Sequence, residues 1–441
     1  MDNHQQRWLR AAGLAVGVSL MLNACSDKAQ IDPSKQLGAN PQLPEAKDFL
    51  VPPMQVPDGV GWKGNMMPKV ASGLKIEKIA SGLKHPRQVL VLPNEDILVV
   101  ESNGPGEEAV TTPKQVIAGM IKSRSGKGAK GGNRVTLLRK PASGSGEWEQ
   151  HVYIDKLHSP FGIQLVGDTL YVANTGNIMK YHYTAGETKM SDPGVELGDL
   201  PSTVNHHWTK ALLASADGKK LYVGSGSNSN ITENGMEVEY RRAAVLEVDA
   251  ATGASRVFAS GIRNPTGLQW EPQSGKLWAI ANERDEIGAD LVPDYLTSVQ
   301  EKGFYGWPYS YFGQHVDHRV KPQRPDLVKT AIKPDYALGS HVAALGLLFY
   351  TGDSLANYKG GALISEHGSW DRSPLSGYQV VYVPFANGMP SGPAQPLVTG
   401  FYSPDEKSLY GAPVGLAQDK QGGVLIADDV GNTIWRLSGV R

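Results

Sequence analysis

HHWTKALLASADGKKLYVGSGSN, residues His206 to Asn228, carries the pattern on which the fold turns. Two apolar runs flank Ala216-Asp217-Gly218-Lys219, the composition of a tight strand connection, so the stretch reads as a β-hairpin. The same unit recurs as HPRQVLVLPNEDILVVESN from His85, SPFGIQLVGDTLYVANTGN from Ser159 and NPTGLQWEPQSGKLWAIANERDE from Asn264. Two more copies begin at Ala343 and Ala412, which makes six hairpins. Each has a small or polar opening, an apolar strand, a turn, a second apolar strand and a polar cluster. A unit repeating at roughly 40 to 50 residues is the signature of propellers and solenoids.

Most copies continue into at least one further strand, such as NRVTLLRK from Asn133, because a lone hairpin is marginal in water. Six small antiparallel sheets predict an all-β fold, a six-bladed β-propeller of four-stranded antiparallel blades. The last copy has a single further strand, NTIWRLSG from Asn432, and LKIEKIA from Leu74 precedes the first copy with no blade of its own. It is expected to complete the last blade and close the ring. In a hairpin, the start of the first strand and the end of the second lie together. Arg87, His206, His207, Arg263, Asn264 and the clusters Glu101-Asn103, Asn282-Asp285, Glu366-His367 and Asp428-Asp429 are therefore expected around one mouth of the channel, where a binding site belongs.

With 43 Lys+Arg against 44 Asp+Glu, nothing in the charge balance points to nucleic acid or an anionic membrane as a partner, and a neutral small molecule fits. Arg7 and Arg10 precede an apolar run from Ala11 to Leu22, which is too short to span a bilayer as a mature helix. The run ends at Leu22-Asn23-Ala24-Cys25 and resembles the lipobox of bacterial lipoproteins. The resemblance implies a signal peptide over 1–24, lipidation of Cys25 and a membrane-anchored, periplasm-facing protein of the bacterial cell envelope. Cys25 is the sole cysteine, so no disulfide forms within the chain. Residues 25–69 are rich in Pro, Asp, Lys and Gly without apolar periodicity and read as an extended tether. The propeller is expected over 70–441.

GIRNPTGLQW, LWAIANERDE, GFYGWPYSYFG and EHGSWDRSPLSGYQVVYVPF, together with the HWT hairpin, resemble the glucose/sorbosone dehydrogenases that use pyrroloquinoline quinone (PQQ), with the sorbosone branch fitting better. That family is a six-bladed propeller, in agreement with the repeat. The resemblance implies oxidation of an aldose or hydrated sugar aldehyde, with electrons passing to a quinone or cytochrome acceptor. It makes His207, five residues before Leu212, the general base, a task that suits imidazole. It places Arg263 and Asn264 against the quinone oxygens, where a guanidinium stabilises developing negative charge, and His206 in contact with the cofactor.

The resemblance also implies a Ca²⁺ ion at the close of the fourth hairpin. The relatives' Gly-Pro step there is replaced by Asn282-Glu283-Arg284-Asp285, so carbonyls of Arg284 and Asp285, with a carboxylate of Glu283 or Asp285, are the candidate ligands. PQQ is a tricarboxylate, and its expected cationic partners are Arg87, Arg263, His367 and Arg372. Where relatives carry Arg-Pro-Val-Gly, this chain has Ala412-Pro413-Val414-Gly415, which leaves one carboxylate without its partner or passes it to Lys407.

Two insertions leave the rim. Gly104 to Gly132 contains SRSGKGAKGG, which lacks the GK[ST] ending and following helix of a phosphate-binding loop. Gly288 to about Ser340 carries an aromatic run, Phe304 to Phe312, suited to stacking on a ligand or to packing between blades. The alternatives to a dehydrogenase are a calcium-dependent lactonase and a non-catalytic binding propeller.

Overall fold

The computed structural model describes residues 28–47, 55–106, 119, 123–144, 146–203 and 206–440. The signal peptide and Cys25 lie outside the described residues. Six antiparallel four-stranded sheets follow one another along the chain. Blade one is Pro86–Val91, Ile97–Glu101, Arg134–Arg139 and Glu149–Ile154, and blade two is Gly162–Val166, Thr169–Ala173, Asn177–His182 and Val195–Asp199. Blade three is Lys210–Ala214, Lys220–Ser225, Ala244–Asp249 and Ser255–Ser260. Blade four is Asn264–Trp270, Leu277–Asn282, Pro293–Ser298 and Tyr336–Ser340, and blade five is Ala344–Phe349, Ala362–Glu366, Gln379–Val383 and Gln395–Thr399. Blade six takes Pro413–Gln418, Val424–Asp428 and Thr433–Gly439 from the end of the chain and Leu74–Ala80 from before blade one.

The first strands of successive blades touch in cyclic order, blade six meeting blade one, so they line a closed channel. Burial follows that geometry. The second strands Ile97–Glu101, Ala362–Glu366 and Val424–Asp428 are buried along their whole length, because both faces are covered by neighbouring blades, whereas the outer strand Glu149–Ile154 is largely exposed. The core lies between blades: Trp278, Ile280 and Leu296 of blade four pack on Leu347, Phe349 and Ile364 of blade five. Closure uses the expected strand, with Leu74–Ala80 antiparallel to Thr433–Gly439 from Gly439 opposite Leu74 to Ile434 opposite Ala80. Val89, Ile97 and Val99 then share one cluster with Leu425, Ala427 and Ile434 across the seam.

The described part of 25–69 differs from the expected tether. Leu37–Gly38 pairs with Ala337 and Leu338 as a fifth strand on blade four, and buried Gln36 donates to the Asp290 carbonyl at 2.7 Å. Asp58–Gly59 pairs with Ser408–Leu409, and Lys69–Val70 extends blade five. Trp62 packs on Phe401 and Trp435 and donates from Nε1 to Asp428 at 2.6 Å. These contacts are single residues and two-residue bridges, which leave no periodic trace in the sequence.

The second insertion is also shorter than expected, because Pro293–Ser298 and Tyr336–Ser340 are the third and fourth strands of blade four. Of its aromatic run, Tyr305, Tyr311 and Phe312 are in the core beside Tyr295, and Trp307 is buried and donates to the Asn230 carbonyl at 3.0 Å. The run packs between elements. Among the described residues no helix is long and apolar enough to cross a membrane.

Candidate active site

The hairpin registers bring opening and closing residues to one rim: Pro86 faces Glu101, Lys210 faces Ser225, Asn264 faces Asn282, Ala344 faces Glu366 and Pro413 faces Asp428. At the blade-three opening, His207 Nδ1 lies 2.9 Å from the Ser227 carbonyl oxygen and 3.0 Å from its hydroxyl. A carbonyl only accepts, so Nδ1 carries the hydrogen and Nε2 keeps its lone pair. Burial, then the Arg263 guanidinium and the neighbouring His206 ring, holds the His207 imidazole well below its ordinary range, and it is neutral at pH 7. His206 is exposed and sets its ring edge-on to His207, with centroids 4.7 Å apart. A Cβ on Gly226 would lie 2.4 Å from Asn264 Oδ1 and 2.5 Å from His207 Cβ, so glycine there lets the two side chains meet. Asn264 Oδ1 is buried with no hydrogen-bond partner, an acceptor waiting for a donor.

Arg263 lies beneath this group, buried. Its Nε donates to the Asn230 carbonyl at 3.2 Å, Nη1 to the Glu283 carbonyl at 2.6 Å, and Nη2 to Asn230 Oδ1 at 2.9 Å and Asp285 Oδ2 at 3.4 Å. These bonds engage all three of its nitrogens and tie blade three to the close of the fourth hairpin. Asn230 Oδ1 also receives the Asp285 amide at 3.0 Å.

Across the mouth, Asp429 is fully buried at the end of the sixth hairpin. It accepts from Arg87 Nη1 at 2.9 Å and from His367 Nε2 at 2.9 Å, and His85 Nδ1 stands 3.8 Å away. Burial works against its charge, but His367 and Arg87 hold the carboxyl well below the usual carboxylate range. Burial also brings His367 down to about 4, so at pH 7 it donates as a neutral ring and Arg87 is the charge partner. The Arg87 guanidinium stacks 5.3 Å from the Trp208 ring centre, which joins this cluster to the histidine hairpin. Lys127, from the first insertion, reaches in and donates to the carbonyls of His367 at 3.3 Å and Gly368 at 3.1 Å and to Tyr378 Oη at 3.0 Å. These acceptors are neutral, and burial lowers its ammonium to about 7.

The family's sequence profile, described as TrAA12-like, matches residues 125–296 and 322–439. The chain belongs to the TrAA12-like family. It is 22% identical over 421 residues to the pyrroloquinoline quinone-dependent sugar dehydrogenase of Hypocrea jecorina (strain QM6a), covering 84% of this chain and 89% of that one. Among solved structures, its fold is similar to a Trichoderma reesei Carbohydrate-Active Enzymes Family AA12 structure with TM-score 0.69, at 21% identity over 86% of this chain and all of that one. It is equally similar, TM-score 0.69, to the holo form of the pyranose dehydrogenase PQQ domain from Coprinopsis cinerea, at 19% identity over 87% of this chain and all of that one.

Within this family fold, the expected residues divide into two groups. His206, His207, Arg263, Asn264 and Asp285 gather on the side of blades three and four, while Arg87 and His367 converge on Asp429 opposite. Two others are engaged elsewhere. Arg372 donates to the carbonyls of Ala289 and Pro374 and to Asp290, whose other oxygen accepts the amides of Gln30 and Ile31, so it anchors the N-terminal segment. The Arg284 side chain is buried against Glu283, Asp317 and the carbonyls of Pro308 and Ser310. The Asp285 carbonyl already accepts from Asn230 Nδ2 at 3.2 Å and Arg319 Nη1 at 3.3 Å, which uses both of its lone pairs. Lys127, His341 and Asp371 escaped the sequence reading. His341, just before the fifth hairpin as His207 is before the third, carried the one usable signal.

Glu366 ends the second strand of blade five. Burial pushes its carboxyl up to about 8 from an ordinary 4.5, although Gln379 donates to it at 2.9 Å. Such a group contributes fully below the unfolded value and its contribution is lost as pH rises through the window from 4.5 to about 8. Glu366→Gln keeps an oxygen for Gln379 and removes the titration. In thermal melts the variant should exceed the parent at pH 8, with the gap closing towards pH 5. A gap of constant size at the two pH values would show that the carboxyl is not the titrating group.

Proposed function

We propose that this chain is a PQQ-dependent sugar dehydrogenase that oxidises an aldose or a hydrated, sorbosone-like sugar aldehyde to the lactone or acid. The observation that carries this reading is the His207 imidazole, neutral, fixed through Nδ1 by Ser227 and left with an unshared Nε2 pair at the channel mouth. Family membership and the sugar dehydrogenase of Hypocrea jecorina support it.

The residues at the mouth fit a planar polycarboxylate. Lys127 is a buried amine bonded only to neutral acceptors, and Arg87 shares its charge with one carboxylate. Arg87 and Lys127 would hold carboxylates of the cofactor, and binding an anion would return Lys127 to its charged form. Lys127 thereby stands in for the arginine that Ala412 replaces. When bound, PQQ supplies the hydride acceptor, with Ca²⁺ as its hard-cation partner at the close of the fourth hairpin, where Glu283 Oε1 is buried without a hydrogen-bond partner. The chain's own part is to orient the sugar, keep Nε2 of His207 as the acceptor of the hydroxyl proton, and let Arg263 hold the Asn230–Glu283–Asp285 frame beside it. The two electrons would then leave to a quinone or cytochrome acceptor.

The test is reconstitution of the purified mature protein with PQQ and Ca²⁺, followed by dye reduction across aldoses and aldosuloses. Sugar-dependent dye reduction that requires PQQ is expected. Lactone hydrolysis without PQQ, or inertness in both assays, would overturn the assignment.

A further inference from the structure

At the junction of blades four and five, Asp285, His341 and Asp371 place one ligand atom each within 4.8 Å of one another. His341 Nδ1 is 3.4 Å from Asp285 Oδ1 and 3.3 Å from Asp371 Oδ1. Both are ion-pair contacts, longer than the roughly 2.7–2.9 Å at which short charge-assisted hydrogen bonds settle. The separations instead match the edge, about 3.4 Å, of a tetrahedron of ligands around a metal with bonds of about 2.1 Å.

Three further features belong to a built site. Asp371 is 3% exposed, and its Oδ1, the atom turned towards His341, has no hydrogen-bond partner. His341 Nε2 lies 3.0 Å from the Gly288 carbonyl and donates to it, which aims Nδ1 at the two carboxylates, the arrangement in which a backbone carbonyl orients a metal-ligating histidine. Against the effect of burial, Asp371 and Asp285 hold the metal-free ring protonated, up to about 10, so an ion would take the place of the Nδ1 proton. Asp285 is the more exposed member, which gives the cluster one open side for an ion to enter and for a fourth ligand. Its second oxygen is held at 3.4 Å by Arg263, leaving Oδ1 directed at the cluster.

We propose that Asp285, His341 and Asp371 bind a divalent transition metal of the zinc class, in a site distinct from the calcium expected with the cofactor. The imidazole decides the class. Calcium takes oxygen ligands in sets of six to eight, whereas mixed imidazole and carboxylate ligation with few ligands suits zinc and its neighbours. The proposal does not rest on the dehydrogenase reading, since the three side chains are in place without any cofactor.

The experiment uses the metal-stripped mature chain without PQQ, in excess Ca²⁺, titrated with Co²⁺ as a spectroscopic stand-in for Zn²⁺. One Co²⁺ per chain should bind with visible ligand-field bands and be displaced by Zn²⁺ and not by Ca²⁺. His341→Gln and Asp371→Asn should each weaken binding by about 100-fold or more, with circular dichroism confirming that the variants are folded. X-ray absorption on the Zn²⁺-loaded parent, which needs no variant, should show one imidazole among oxygen ligands. Absence of stoichiometric Co²⁺ binding, displacement by Ca²⁺, an all-oxygen shell, or unchanged affinity in both folded variants would each overturn the site. None of these readouts involves sugar oxidation, so a failed dehydrogenase assay leaves the result intact.

Discussion

His207→Gln is expected to lower turnover by about 10²–10⁴, the range general-base catalysis supplies, while PQQ and Ca²⁺ binding stay within a few-fold of the parent. The asymmetry follows from the geometry. Nδ1 is spent on Ser227, so glutamine can keep one hydrogen bond to that residue but offers no basic nitrogen to the substrate. His206→Asn makes the control, because His206 is exposed and reaches His207 only edge-on. Steady-state oxidation and cofactor titration of the two variants, run in parallel, separate the roles. A crippled His206→Asn beside a near-normal His207→Gln would shift the base by one residue and break the proposed mechanism. The parent's acid limb should also lie below pH 6.5, since burial and Arg263 keep His207 unprotonated to well below its ordinary value.

Asp429→Ala should be the most destabilising single change at the mouth. Removing one partner of a buried ion pair leaves the other charge desolvated and costs about 3–5 kcal/mol. Here the stranded partner is Arg87, 7% exposed in its side chain, and His367 loses its acceptor as well. The sign with pH is fixed: the folded carboxyl titrates well below its ordinary 3.8, so its contribution is complete above that value and disappears as pH falls below it. Denaturant unfolding at pH 7 should show the loss, and at pH 3 the gap between variant and parent should shrink. A variant as stable as the parent at pH 7 would mean that solvent or another acceptor compensates Arg87.

How far the sequence reaches differs between scaffold and site. Hairpin copies such as His206–Asn228 were legible because each is local: a strand alternates at period two, a turn needs Gly, Asp or Asn, and both signals lie within about twenty residues. Counting copies set the blade number, and the orphan strand Leu74–Ala80 set the closure, later seen against Thr433–Gly439. Because opening and closing residues of a hairpin share one end, even the rim could be listed. The docking of the described residues between Lys28 and Lys69 was not legible, since Gln36 and Trp62 act one at a time on partners more than 250 residues away.

By itself, then, the sequence determined a ring of six hairpins, the side of the ring that carries the polar residues, and a histidine at the opening of the third copy. Only the tertiary structure decided what those polar residues do to one another. Arg372 and Arg87 look equally available in the chain, yet one is held by Asp290 outside the mouth and the other by Asp429 within it. Lys127 sits in a glycine-rich insertion and His341 beside an ordinary strand, and neither acquires meaning until Tyr378, Asp371 and Asp285 arrive from distant blades. The physical reason is range. Strand and turn preferences are settled by neighbours along the chain, whereas the charge, protonation and ligand role of a buried group depend on which desolvated partners stand within a few ångströms of it.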